Sequence, residues 1–243
     1  MERKRIYLSS PTMHGEEQAF VQSAFDTNWV APLGPNVDAF EKEMADYIGG
    51  GYAAALSAGT AAIHLAVILA GVKEGDVVFA QSLTFAASVN PACYEKAKPV
   101  FIDSEPDTWN MDPVALEKAF EKYPHPAAVI AVHLYGTPSK IDRIRDICKK
   151  HQVPVIEDAT EALGTKYTEG EYAGRMAGTI GDIGVYSFNG NKIITSSGGG
   201  MLLCSDEAKI KRARFLATQA RDPARYYQHS TIGYNYRMSN VVA

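Results

Sequence analysis

Nowhere in this sequence do apolar residues run on for the ~18 positions that a membrane-spanning helix needs. Cysteine is scarce: Cys93, Cys148 and Cys204 are widely spaced and odd in number. They offer neither a metal-ligand spacing nor a disulfide framework, so no metal is expected and a reducing cytosol suits the chain. Charge of either sign forms no block, and 24 basic against 28 acidic residues leave a net charge of −4. Neither nucleic acid nor a membrane surface is therefore expected as a partner. The first residues, Met-Glu-Arg-Lys-Arg-Ile-Tyr-Leu, are basic but open no apolar stretch, and no signal peptide is expected.

What is present is ordinary globular composition, 46% apolar and 21% charged over 243 residues, enough for one large core. Apolar, β-rich runs are expected to form strands at Tyr52–Leu56, Asp76–Ala80, Pro99–Asp103, Ala127–Val132, Pro154–Glu157, Ile183–Phe188 and Gly200–Cys204. Several are apolar throughout, as strands covered on both faces should be. Helices are expected at Gly15–Asp26, Val37–Ile48, Gly59–Ala70, Phe85–Tyr94, Asp112–Phe120, Lys140–His151 and Asp206–Gln219. Asp112-Pro113 pairs an N-cap with a proline at the first helical position, and Gly71 suits a helix C-terminus. Strands alternating with helices argue for an α/β three-layer sandwich. No internal repeat or low-complexity linker interrupts it. The segment Arg237–Ala243 reads as the start of an apolar helix with no stop signal.

Three segments can carry chemistry. Ser57-Ala58-Gly59-Thr60 lies between a strand and a helix, where free backbone N–H groups and the positive end of the helix dipole suit a phosphate. An ordinary N-cap gives the same pattern. Asp158 ends a buried strand, where open α/β sheets place their ligands. It can hold a protonated pyridine nitrogen, or it can cap the segment that follows. In the third segment a buried strand ends at Ser187, a polar loop presents Lys192, and the run Gly198-Gly199-Gly200 follows. Most lysines are solvated surface charges. An amine that is positioned and partly desolvated between such a strand and such a loop can instead attack an aldehyde.

Together these pieces resemble the DegT/DnrJ/StrS family of sugar aminotransferases. The matching segments occur in family order: Asn28-Trp29-Val-Ala-Pro-Leu-Gly34-Pro35, Ser57 to Leu65, Gln81-Ser-Leu-Thr-Phe85, Pro99 to Asp103, His133-Leu-Tyr-Gly136, Glu157 to Gly164, Ser187 to Lys192 and Gly233-Tyr-Asn-Tyr-Arg237. The resemblance implies a fold-type-I, aspartate aminotransferase-like large domain with a mostly parallel, mixed seven-stranded sheet, preceded by an N-terminal segment. It also implies a smaller C-terminal domain absent from residues 1–243. The implied cofactor is pyridoxal 5′-phosphate. Lys192 would be its Schiff-base lysine and Asp158 the partner of its pyridine nitrogen. Phe85 would stack on the ring, and Ser57, Ala58, Gly59, Thr60 and Ser187 would surround the phosphate. Glu161 stands where relatives carry Gln or His near the phenolic oxygen. Asn235 would reach the phosphate in a neighbouring subunit, which implies a homodimer with shared sites. Trp29, Gly34 and Pro35 match a segment near the sugar nucleotide, and His229 and Arg237 are candidates to face an anionic substrate.

Some relatives carry histidine at the Lys192 position and act as dehydrases, so the lysine points to an aminotransferase. The expected reaction is ping-pong: glutamate yields pyridoxamine phosphate, whose amine passes to the ketone of a UDP-linked 4-keto-6-deoxy sugar, with Lys192 moving the proton. A 3-keto sugar, and an inert fragment that only binds cofactor, stand as alternatives.

Overall fold

The structure, a computed structural model, describes residues 4–243; the first three residues of the basic start lie outside the described residues. Seven strands form one sheet: β1 (Tyr52–Leu56), β2 (Val77–Gln81), β3 (Lys98–Ile102), β4 (Ala128–Val132), β5 (Val155–Asp158), β6 (Ile183–Ser187) and β7 (Gly200–Cys204). Their order is β1-β7-β6-β5-β4-β2-β3, and β7 is antiparallel to both of its neighbours while the other pairings are parallel. Every expected strand lies within a residue or so of its position. The reason is physical: strands covered on both faces are apolar throughout, so their ends stand out against polar loops.

Around the sheet lie α1 (Glu17–Asp26), α2 (Pro35–Tyr47), α3 (Gly59–Leu69), α4 (Asn90–Tyr94), α5 (Pro113–Lys122), α6 (Ile141–His151) and α7 (Glu207–Ala217). Alternation along the strands sorts the core into two faces. Leu56, Ala80, Ile130, Ile156, Val185 and Leu202 pack with α3 and α7. Residues one position away, such as Phe79, Val129 and Val155, pack with α5 and α6, and Ala55, Tyr186 and Met201 pack with α2. Each fully buried Leu or Ile contributes about 1.5–3 kcal/mol. The result is the three-layer α/β/α sandwich. Among the described residues no helix is long and apolar enough to cross a membrane.

One expected helix is replaced. Phe85–Tyr94 divides into a 3₁₀ turn at Ala86–Ser88 and the short α4. Pro91 lacks an N–H and disfavours helical geometry just before it, so one continuous helix cannot form. Phe85 consequently sits ahead of the turn in extended backbone.

Beneath β5, Glu157 is fully buried and its carboxylate anchors the run that enters β6. His133 Nε2 donates to Oε2 at 2.8 Å, Gly178 N donates to the same oxygen at 2.9 Å, and the amides of Ile180 and Gly181 donate to Oε1. Burial alone would raise this carboxyl, but the bonds from His133, Gly181 and Gly178 outweigh it and hold the group below its ordinary 4.5. The associated stability is fully present above pH 4.5 and is lost as pH falls through the lower folded value. Glu157→Gln should lower the unfolding free energy at pH 7 by about 3 kcal/mol, as breaking a buried pair does. Urea melts at descending pH should show this deficit shrinking below pH 4.5.

Candidate active site

The parallel strands β1, β2, β4, β5 and β6 deliver their C-terminal ends to one edge of the sheet, and the 188–199 loop folds back over that edge to start β7. There a cavity of about 310 Å³ is lined by Ser57, Ala58, Gly59, Thr60, Phe85, Ser88, Asp158, Thr160, Glu161, Ser187 and Lys192, with neighbours from both loops. The three segments singled out by the sequence thus meet in one place, with Phe85 beside them.

Each wall has a local cause. Asp158, 2% exposed, ends β5. Its Oδ2 accepts from Ser88 Oγ at 2.5 Å and its Oδ1 from Thr160 N at 3.1 Å, so the carboxylate is fixed in place. Ser88 also shares a 2.7 Å hydrogen bond with Thr84 Oγ1. Opposite, α3 begins at Gly59 with no side-chain cap on its first N–H groups, which leaves donors free at a dipole end. Glycine is required at 59 because a Cβ there would lie 2.9 Å from Ser187 Cβ. Phe85, on the cavity's lining, exposes 74% of its surface, an unusual state for a phenylalanine.

Lys192 sits in the loop after β6, its backbone N–H bonded to Asn189 O at 3.0 Å and its side chain 14% exposed. Its Nζ lies 3.3 Å from Glu161 Oε1. Glu161 Oε2 accepts from Tyr135 N at 3.0 Å. Tyr135 is left-handed, with φ 52° and ψ 28°, which is uncommon for a bulky residue.

Pyridoxal phosphate is tested against these groups directly. An amine can meet its aldehyde, a fixed buried carboxylate its ring nitrogen, and an exposed aromatic ring its face. An uncapped helix start flanked by the Ser57, Thr60 and Ser187 hydroxyls can meet its phosphate. The donor set fits the group.

The remaining expected residues lie elsewhere. Trp29, Gly34, Pro35, His229 and Asn235 line no part of this cavity. Pro35 opens α2, His229 Nδ1 pairs with Gln219 O at 2.8 Å, and Asn235 is exposed in a bridge to Thr218. Arg237 is a correction. It is 8% exposed, and its Nη1 donates to Glu41 Oε1 at 2.6 Å and to Ala55 O at 2.9 Å. A guanidinium committed to a buried carboxylate and to the open edge of β1 faces no substrate.

Sequence reasoning missed Ser88, Thr160 and Asn240. Asn240, 1% exposed, caps α2 from across the chain: its Oδ1 accepts from Asn36 N at 2.8 Å and its Nδ2 donates to Trp29 O at 2.9 Å. It packs so closely on Gly34, at φ 141°, that a Cβ there would meet Oδ1 at 2.5 Å. No local pattern announces a cap supplied from residue 240. A hydroxyl three residues past Phe85 was the available signal for Ser88.

Two substitutions test these assignments. Gly59→Ala should weaken pyridoxal phosphate binding at least ~10-fold in an absorbance titration, since the overpacked methyl costs about 1–3 kcal/mol. Arg237→Leu should lower the urea midpoint by the equivalent of about 2 kcal/mol, because Glu41 loses its buried partner and keeps only the more exposed Arg214.

A family model described as the DegT/DnrJ/EryC1/StrS aminotransferase family matches residues 11–243. EpsN of Bacillus subtilis (strain 168), assigned by name to the pyridoxal phosphate-dependent aminotransferases, is 59% identical over 99% of this chain and 62% of its own length. GDP-perosamine synthase of Caulobacter vibrioides is 40% identical over 98% of this chain and 62% of its own. The crystal structure of a DegT DnrJ EryC1 StrS aminotransferase from Brucella abortus superposes with a TM-score of 0.85 at 29% identity, covering 93% of this chain and 60% of that one. The chain therefore spans just under two thirds of the length of these relatives. With its sheet order, its strand-edge cavity and this likeness in agreement, the chain belongs to the DegT/DnrJ/EryC1/StrS aminotransferase family.

Proposed function

We propose that this chain binds pyridoxal phosphate and moves an amino group from glutamate to the ketone of a nucleotide-linked sugar, a 4-keto sugar before a 3-keto one. The observation that carries the reading is the convergence of Lys192, Asp158 and the uncapped start of α3 on one cavity. The name of the perosamine synthase relative supports a nucleotide-linked amino sugar as product.

Bound there, the cofactor supplies an aldehyde that captures amines and a ring that accepts electrons. The chain's residues do the rest. The Ser57–Thr60 turn anchors the phosphate, and Phe85 covers the ring and keeps water from it. Asp158, immobilised by Ser88 and Thr160, orients the ring by its nitrogen. Lys192 Nζ would hold the aldehyde carbon and, when free, would be the base in the cavity that carries a proton. The reading further places the protein in the cytoplasm as a homodimer, with Asn235 reaching the partner subunit's phosphate from its exposed bridge.

The test begins with the 243-residue chain and pyridoxal phosphate. Wild type should gain the absorbance of a lysine–cofactor link, and Lys192→Ala should not. Identical spectra would falsify the assignment. Adding L-glutamate and 4-keto or 3-keto sugars linked to UDP or GDP should yield an aminated 4-keto substrate, read by NMR.

A further inference from the structure

His64 is a buried ionisable residue that the cofactor reading leaves without a task. It is 4% exposed on α3, four residues beyond Thr60 and so on the same helix face. One turn, about 5.4 Å, separates the two, so whatever holds the imidazole also holds the cavity wall at Thr60. Its Nε2 lies 2.8 Å from Glu95 Oε1, and its Nδ1 lies 3.1 Å from the Tyr236 hydroxyl. A carboxylate only accepts, so Nε2–H donates to Glu95 and Nδ1 accepts from the phenol. Burial, with Tyr94 and Glu95 nearby, pushes the Tyr236 phenol above its ordinary 10.0 and keeps it a donor at neutral pH. Tyr94, Tyr234 and Tyr236 stand edge-on to the imidazole, with ring centroids 5.2, 4.9 and 5.8 Å away. Tyr234 stacks on Tyr236 at 5.0 Å, which fixes the phenol from its other side.

Tyr236 is thereby tied in three directions. Its N–H donates to Ala217 O at 2.9 Å, its carbonyl accepts the Ser57 N–H at 2.7 Å, and its hydroxyl meets His64. One residue thus reaches both ends of the strand-to-helix turn, the exit of β1 and the body of α3. The N–H donors at the start of α3 carry no side-chain cap, so their positions follow from where β1 ends and where the helix lies. We propose that Tyr236 is a positioning residue for the phosphate site. Its carbonyl at Ser57, and its phenol acting through His64 and Glu95, together set where the Ser57–Thr60 turn presents its donors. The inference rests on the reading of that turn as the anchor of the cofactor's phosphate. It gives the buried His64–Glu95 pair a purpose in ligand binding, although neither residue lines the cavity.

Tyr236→Phe removes the hydroxyl and leaves the ring and the carbonyl in place. Pyridoxal shares the ring and the aldehyde of pyridoxal phosphate but has no phosphate, so the pair of ligands isolates the turn. In absorbance titrations of the 243-residue chain, the variant should bind pyridoxal phosphate at least ~3-fold more weakly, as loss of one hydrogen bond allows, and pyridoxal as wild type does. A merely structural role would weaken both ligands by the same factor. His64→Phe keeps an aromatic ring among the tyrosines but cannot bond to the phenol or to Glu95. It should show the same phosphate-specific loss, and it serves if Tyr236→Phe does not fold by circular dichroism. Unchanged affinity for pyridoxal phosphate, or equal weakening of both ligands, overturns the proposal. Wild type that binds pyridoxal phosphate no more tightly than pyridoxal overturns instead the phosphate reading on which it rests.

Discussion

The carboxylate of Glu157 is the constraint from which the rest of the molecule is organised. It lies wholly inside the protein and is satisfied by one imidazole and three backbone amides from a loop that must cross beneath β5. Burying a charge is costly unless every lone pair finds a donor. That cost makes the position of His133 at the end of β4, and of residues 178–181 ahead of β6, matters of necessity. Because side chains alternate along a strand, fixing Glu157 on one face of β5 turns Asp158 toward the cavity side. A structural ion pair and a cavity-facing carboxylate are thus neighbours in sequence on opposite faces.

The open edge of the sheet is settled by a similar economy of charge. Among the described residues β1 has no strand beyond it. Instead Glu41 accepts the Ala55 N–H at 2.7 Å, Arg237 and Arg214 donate to the carbonyls of Ala55 and Ala53, and both arginines pair with Glu41. Side chains stand in for a missing strand and blunt an edge that would otherwise recruit another chain. The Ser57 N–H is taken by Tyr236 O at 2.7 Å in the same manner.

Much of this was legible in the sequence, and the boundary has a physical explanation. β1 and β7 were read at their observed ends, because a short apolar run flanked by glycine or serine reports burial directly. That Ser57–Thr60, Asp158, Ser187 and Lys192 line one cavity was legible because each lies at a strand-to-loop junction, and strand edges are where this architecture gathers polar groups. Arg237 was misread because its partner lies 196 residues away in sequence. Asn240 escaped for the same reason, its contacts with Trp29 and Asn36 spanning more than 200 positions. The Glu161–Tyr135 bond was invisible because it depends on a left-handed backbone that no residue type there demands. Local chemistry reads well in one dimension; the pairing of distant groups does not.

The long reach of Asn240 and Tyr236 has a consequence for how the protein comes into being. The turn that starts α3 is made early in synthesis, yet the carbonyl that holds Ser57 and the cap that starts α2 come from residues 236 and 240. A chain emerging from the ribosome can assemble the middle strands of its sheet well before these contacts exist. The cavity wall formed by Ser57–Thr60 gains its tie to Tyr236 only once that segment has folded back across β1. Contacts so far apart in sequence form slowly, because a long loop must close before they contribute anything. The edge of the cavity to which Ser57 belongs thus depends on contacts that span most of the described residues.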